Sequence, residues 1–207
     1  KSFKLIDALL FQRSLYEGGL TLEKLKTIKK TLLISINKHY SLDFNPRKVI
    51  GDNPDDLEDI DYGDSNVIGP KLEKTEHGTH VSGIIASNHN YEQNHYPINE
   101  NLKIMILRAV PDGDEYDKDV ALAIRYAVDN GAKIINTSFG KEYSPHKEWV
   151  WGALKYAEEK DVLIISAAGN GSSNIDPGKT ETYITDFDNG EEIVSNFLSV
   201  GASTYDY

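Results

Sequence analysis

Apolar residues recur along this chain in two rhythms, and the change between them divides it. Near the N-terminus the spacing is three-four. Phe3, Leu5, Ile6, Leu9, Leu10 and Leu15 predict one helix, which Gly18-Gly19 stops. Thr21 is placed to cap a second helix, whose apolar positions are Leu22, Leu25, Ile28, Leu32 and Ile36. Lys24, Lys26, Lys29, Lys30 and Lys38 form its solvated face. Residues 1–44 thus read as a helical hairpin whose role is packing, and 45–207 as a separate domain.

From Asn45 to Gly69 the pattern is that of a loop, and a very acidic one. Asp52, Asp55, Asp56, Glu58, Asp59, Asp61 and Asp64 crowd together, interrupted by Pro54 and Gly63. A hard cation such as calcium takes about six to eight oxygens, but the spacing misses the EF-hand register. A solvated acidic loop is the expected reading.

After Gly69 strands alternate with helices. Leu102–Val110 reads as a mostly buried strand. A helix follows from Asp117 to about Asn130, is ended by Gly131, and leads into the strand Ala132–Asn136. The next helix runs from about His146 to Lys160. The apolar run Val162–Ala168 is stopped by Gly169, and a short strand is expected at Phe197–Ala202. Strands apolar on both faces and joined by helices predict an α/β fold in three layers, a mostly parallel sheet with helices on both faces. Right-handed crossovers then place every strand's carboxyl end on one edge, where such sheets bind ligands. No internal repeat or low-complexity tract is present.

Composition narrows the functions. The 207 residues carry 22 Lys+Arg against 33 Asp+Glu, a net charge of −11, which argues against grip on nucleic acid. No apolar run is long enough to span a membrane. With no cysteine, disulfides, cysteine-zinc sites and thiol catalysis are excluded.

Two segments stand where such a fold does its chemistry. Glu76-His77-Gly78-Thr79-His80-Val81-Ser82-Gly83-Ile84-Ile85-Ala86 opens a helix directly after a loop. Histidine has an ordinary pKa near working pH and suits a general base, and Gly78 and Gly83 would admit other backbone closely. The sequence His-Gly-Thr-His-Val-x-Gly-Ile-Ile-Ala resembles the histidine box of the subtilisin-like serine proteases, the subtilases. The resemblance continues in order to Thr204. Asn136-Thr137-Ser138-Phe139-Gly140 is similar to that family's substrate-binding strand. Ala167-Ala168-Gly169-Asn170 is similar to the segment ending in its oxyanion-hole asparagine, and Val200-Gly201-Ala202 to a later core strand.

The resemblance implies roles. His77 would take the proton from a serine hydroxyl and return it to the leaving amine. Asn170 would donate its side-chain amide to the developing oxyanion. Ser138, Phe139 and Gly140 would add an extended peptide as a strand, with Ala168 and Gly169 lining the next pocket. His80 is expected to be a packed or hydrogen-bonded structural histidine, and Asp112-Gly113-Asp114-Glu115-Tyr116 to supply the groove's opposite rim. No cofactor is implied beyond calcium as a structural ion. The implied partner is a peptide or protein substrate, and the implied location is extracellular or at the cell envelope.

The family pattern also breaks. Its triad runs Asp, His, Ser along the chain, yet no aspartate box precedes His77. The nearest imitation is Val49-Ile50-Gly51-Asp52, without a glycine after Asp52; Leu5-Ile6-Asp7 is weaker, since a helix continues through it. Gly201-Ala202-Ser203-Thr204 resembles the serine box only superficially. The reading that fits is an internal piece of a longer subtilase, with the hairpin an insert between the aspartate and histidine boxes. Such a piece alone is expected to hydrolyse no peptide. Its remaining parent segments are expected partners, and unpaired sheet edges favour self-association. The alternatives are a non-catalytic subtilase-fold module that binds peptides or partners, and a metal-dependent hydrolase using His77 and His80.

Overall fold

The protein is described by a computed structural model that covers residues 2–41, 43–69, 71–87, 101–111, 115–172, 174–176 and 182–203. The chain divides into two compact units, Lys1–Gly51 and Asp52–Tyr207.

The first unit holds helix α1 (Ser2–Glu17) and helix α2 (Leu22–Ile34), as the three-four spacing predicts. Backbone bonds from Gly18 to Ser14 and from Leu20 to Leu15 close α1. The Thr21 hydroxyl accepts the Lys24 N–H at 3.2 Å and caps α2. The last turn widens into a π-turn at Ser35–His39. Arg13 and Glu17 pair at 2.7 Å on the exposed face of α1, a contact worth a few tenths of a kcal/mol at most. None of the α2 side chains is buried, and its apolar stripe stays at the surface, with Leu32 57% exposed.

The second unit is built on a parallel sheet of strands β1 (Ile134–Thr137), β2 (Leu163–Ala167) and β5 (Phe197–Val200), in the order β1-β2-β5. Register is set by Ile135 opposite Ile164 and by Ile165 opposite Leu198. Helix α4 (Asp117–Asp129) enters β1, and α5 (Lys147–Glu159) connects β1 to β2. Val120, Ala121, Ile124 and Val128 of α4 meet Val150, Ala153, Leu154 and Ala157 of α5 in one core, which Ile164 and Val162 complete. The alternation along β2 turns Ile164 and Ser166 into this core. On the sheet's other face Ile134, Leu198 and Val200 are more than half exposed. The architecture is that of an incomplete α/β fold, as expected, with one helical layer on the sheet among the described residues.

One expected strand is not formed. Residues 102–110 join no ladder among the described residues, and Leu102, Ile104, Met105 and Ile106 remain exposed. A strand apolar on both faces is stable only between two covering layers, and the described residues supply one. This segment is held instead by the Arg108 guanidinium, which donates to the carbonyls of Val67 and Ile68.

A short hairpin that the hydrophobic pattern did not indicate joins β3 (Phe187–Asp188) to β4 (Glu191–Glu192). Its turn residues Asn189 and Gly190 both have positive φ, +52° and +88°, as a two-residue primed turn requires. Just before it Asp186 is buried, and burial raises its carboxyl pKa, the nearby Glu192 adding to the effect. A raised acid favours folding only while protonated, so this contribution is lost as pH rises through its folded pKa. Asp186→Asn is therefore expected to raise the melting temperature by a few degrees at pH 7. The gain should vanish at about pH 3, where the wild-type acid is also neutral. Thermal unfolding at both pH values checks this.

Candidate active site

The carboxyl edge of the sheet gathers most of the candidate residues. Thr137 lies opposite Ser166 in the parallel ladder, so the segments that follow, Ser138–Gly140 and Ala168–Asn170, leave the sheet side by side. The Leu163 N–H donates to the Lys133 carbonyl. Along a strand the N–H and C=O of one residue point to the same side and those of the next to the other, so residues 133, 135 and 137 face β2, and 134, 136 and 138 face the edge that no described strand covers. The N–H and C=O of Ser138 thereby point away from β2. The Asn136 carboxamide donates to the Ser138 hydroxyl at 2.8 Å and fixes that side chain.

Two glycines carry this geometry. Gly169 adopts φ +89°, which turns the chain sharply between Ala168, still bonded to the Val200 carbonyl at 2.9 Å, and the exposed Asn170. At Gly140 a Cβ would lie 2.9 Å from the Tyr183 carbonyl oxygen, so a larger residue would push the two segments apart. Tyr183 pairs antiparallel with Lys141 through two main-chain bonds of 2.7 Å. Phe139 packs on the core beside Val120, Val150, Trp151 and Ile184, around a space of about 10 Å³ that holds at most about one water. The structure thus brings Ser138, Phe139, Gly140, Ala168, Gly169 and Asn170 together.

His77 stands apart. It is the second residue of helix α3 (Glu76–Ala86), which begins directly after a 3-10 turn at Leu72–Thr75. The imidazole is exposed, and no hydrogen-bond partner reaches it among the described residues. His80, expected to be packed, is exposed as well. Gly78 and Gly83 were expected to admit close backbone, yet a Cβ at either would meet nothing within 4 Å. Both corrections have one cause: among the described elements α3 packs on the turn before it rather than on a strand. Of the proposed opposite rim, Asp112, Gly113 and Asp114 lie outside the described residues, while Glu115 and Tyr116 lead into α4.

Asp52, the nearest imitation of a triad aspartate, is committed elsewhere. Its carboxylate meets the Lys118 ammonium at 2.5 Å, and both side chains are fully buried. Lys118 also donates to the Asn53 carbonyl at 2.9 Å, lies 4.0 Å from Asp59, and sits 4.6 Å over the Tyr62 ring. The Tyr62 hydroxyl in turn donates to Asp119 at 2.6 Å. The acidic loop is therefore not simply solvated, because it wraps a lysine. A cation in the first turn of a helix opposes the helix dipole, and these oxygens and the aromatic face offset that cost.

A second charged cluster borders the candidate groove. Asp117, the first residue of α4 and buried, accepts the Lys141 ammonium at 2.7 Å, the Ser144 hydroxyl at 2.5 Å and the His146 N–H at 2.9 Å. Lys141 also donates to the Glu115 carbonyl at 2.5 Å. Hydrophobic patterning pointed to none of Asp117, Lys118 and Lys141. The available signal for Asp117 and Lys118 was the Asp-Lys-Asp run directly before the apolar stretch Val120–Ile124.

The carboxyl edge of the parallel sheet thus carries the Ser138 main chain and the exposed Asn170 side by side. The Subtilase family model matches residues 25–206, and the chain belongs to this family of serine peptidases. The thermophilic serine proteinase of Bacillus sp. (strain AK1) is 34% identical over 116 residues, 55% of this chain and 28% of that protein. The C5a peptidase of Streptococcus pyogenes serotype M18 is 37% identical over 134 residues, 60% of this chain and 12% of that protein. The chain thus spans only a minor part of these relatives' length. Among solved structures, the epidermin leader peptide processing serine protease of Staphylococcus aureus aligns over 61% of this chain and 34% of its own, at 21% identity and TM-score 0.48.

Proposed function

We propose that this chain forms part of a serine endopeptidase that cleaves peptide bonds through an acyl-enzyme. His77 is the general base and Asn170 the oxyanion donor; the nucleophilic serine and the orienting aspartate are supplied by residues outside 1–207. The observation that carries the reading is the carboxyl edge of the sheet. There the outward-facing main chain of Ser138 lies beside Gly169-Asn170, so a peptide added as a strand would have its carbonyl next to the carboxamide. His77 comes to this reading from its motif alone.

The first step transfers the serine proton to His77 Nε2 as the hydroxyl oxygen attacks the carbonyl carbon. The carbonyl oxygen becomes negative and accepts the Asn170 amide N–H. Collapse of the tetrahedral intermediate expels the amine, which takes the proton back from His77, and water then hydrolyses the ester by the same sequence. We place the activity outside the cell or at its envelope.

Labelling tests the reading. The full-length protein, treated with a serine-directed fluorophosphonate, should be modified at one serine outside residues 1–207, with loss of peptide hydrolysis. Residues 1–207 alone should neither label nor turn over substrate. A full-length protein that binds peptides but never labels would establish the non-catalytic module instead.

A further inference from the structure

We propose that Lys141 is a strut that fixes the width of the peptide groove, and so a positioning residue selective for extended substrates; the proposal rests on the peptidase reading above. Lys141 directly follows the peptide-binding residues Ser138–Gly140. Its main chain is pinned by the two bonds to Tyr183. Its ammonium reaches across to the Glu115 carbonyl at 2.5 Å and the Asp117 carboxylate at 2.7 Å, with its side chain only 14% exposed. Glu115 and Tyr116 belong to the segment assigned to the opposite lip. One side chain therefore ties the lip that follows β1 to the lip that precedes α4.

The chemistry of the tie makes it rigid. Charge-assisted bonds are shorter and roughly twice as strong as neutral ones, and Asp117 is itself fixed by the Ser144 hydroxyl and the His146 N–H. The ammonium is neutralised by Asp117, so Lys141 offers the substrate geometry and no free positive charge. A substrate that touches only the reacting centre does not sense the spacing of the lips. A peptide long enough to lie along them does, because orienting it is part of what binding must accomplish.

The test compares substrate lengths in the full-length protein. In Lys141→Met, kcat/KM for an acylated tetrapeptide amide should fall about tenfold, mostly through KM, as expected when a charge-assisted tie worth about one decade is lost. For a single-residue acyl ester it should change less than about twofold. Asp117→Asn, which keeps the shape and removes the charge, should shift the same ratio in the same direction. Equal losses on both substrates, or no loss on either, would overturn the strut. Binding of an uncleavable tetrapeptide, followed by fluorescence anisotropy, reads the strut without turnover. A wild type that hydrolyses nothing sinks the peptidase reading, and the strut then stands if Lys141→Met weakens this binding about tenfold and falls if it does not.

Discussion

His77→Ala in the full-length protein is expected to lower kcat by about 10⁶, and Asn170→Ala by about 10²–10³, with KM little changed in both; these scales are those measured in subtilisin, the family's type enzyme, and are carried over to the matching residues. The gap between them is the diagnostic feature. Removing the base leaves the serine hydroxyl protonated at its ordinary pKa, so the attacking oxygen is a poor nucleophile and the remaining triad members cannot compensate. Removing the carboxamide leaves nucleophile and base intact, and withdraws one donor from an oxygen that is negative only near the transition state. Steady-state kinetics on one peptide amide check both variants. A loss of less than about tenfold in His77→Ala would remove this histidine from the reaction.

Lys118→Met is expected to destabilise the second unit by about 3–5 kcal/mol, because it removes the buried counter-charge of the Asp52 carboxylate. For a chain of this size that corresponds to a fall in melting temperature of roughly 10 °C. The ammonium also holds the Asn53 carbonyl and lies over Tyr62, so the acidic loop should loosen with it and become sensitive to limited proteolysis near Asp55. The double variant Asp52→Leu/Lys118→Met should recover much of the loss, since a buried pair replaced by apolar groups of similar volume often costs little. Thermal unfolding of the singles and the double closes the cycle. A single variant that melts within about 2 °C of wild type would show that the pair is not a stabilising centre.

The boundary between what was readable and what was not follows the range of the interactions. Periodicity located α1, α2, α4 and α5 because a helix buries one stripe and repeats it every turn. It located β1, β2 and β5 because apolar runs of strand length lay between α4 and α5 and after α5. Residues 102–110 read the same way and yet formed no ladder, since a strand's hydrogen bonds belong to partners that its own sequence does not contain. The acidic loop read as solvated because seven carboxylates in thirteen residues look self-repelling until a cation arrives, and that cation comes from Lys118, far along the chain.

What the sequence by itself determined is the family and the order of α1, α2, α4, β1, α5, β2 and β5, and its motifs nominate His77, Asn170 and Ser138–Gly140 for chemistry. Local physics sufficed for the elements, because helix stripes and stop glycines are fixed by near neighbours, while the family and the nominated residues rest on resemblance to the subtilases. Only the tertiary structure decided that Asp52 neutralises Lys118 rather than orienting a base, and that Lys141 spans to Asp117. A buried charge must find its counter-charge wherever the fold places one, and that choice is written in three dimensions.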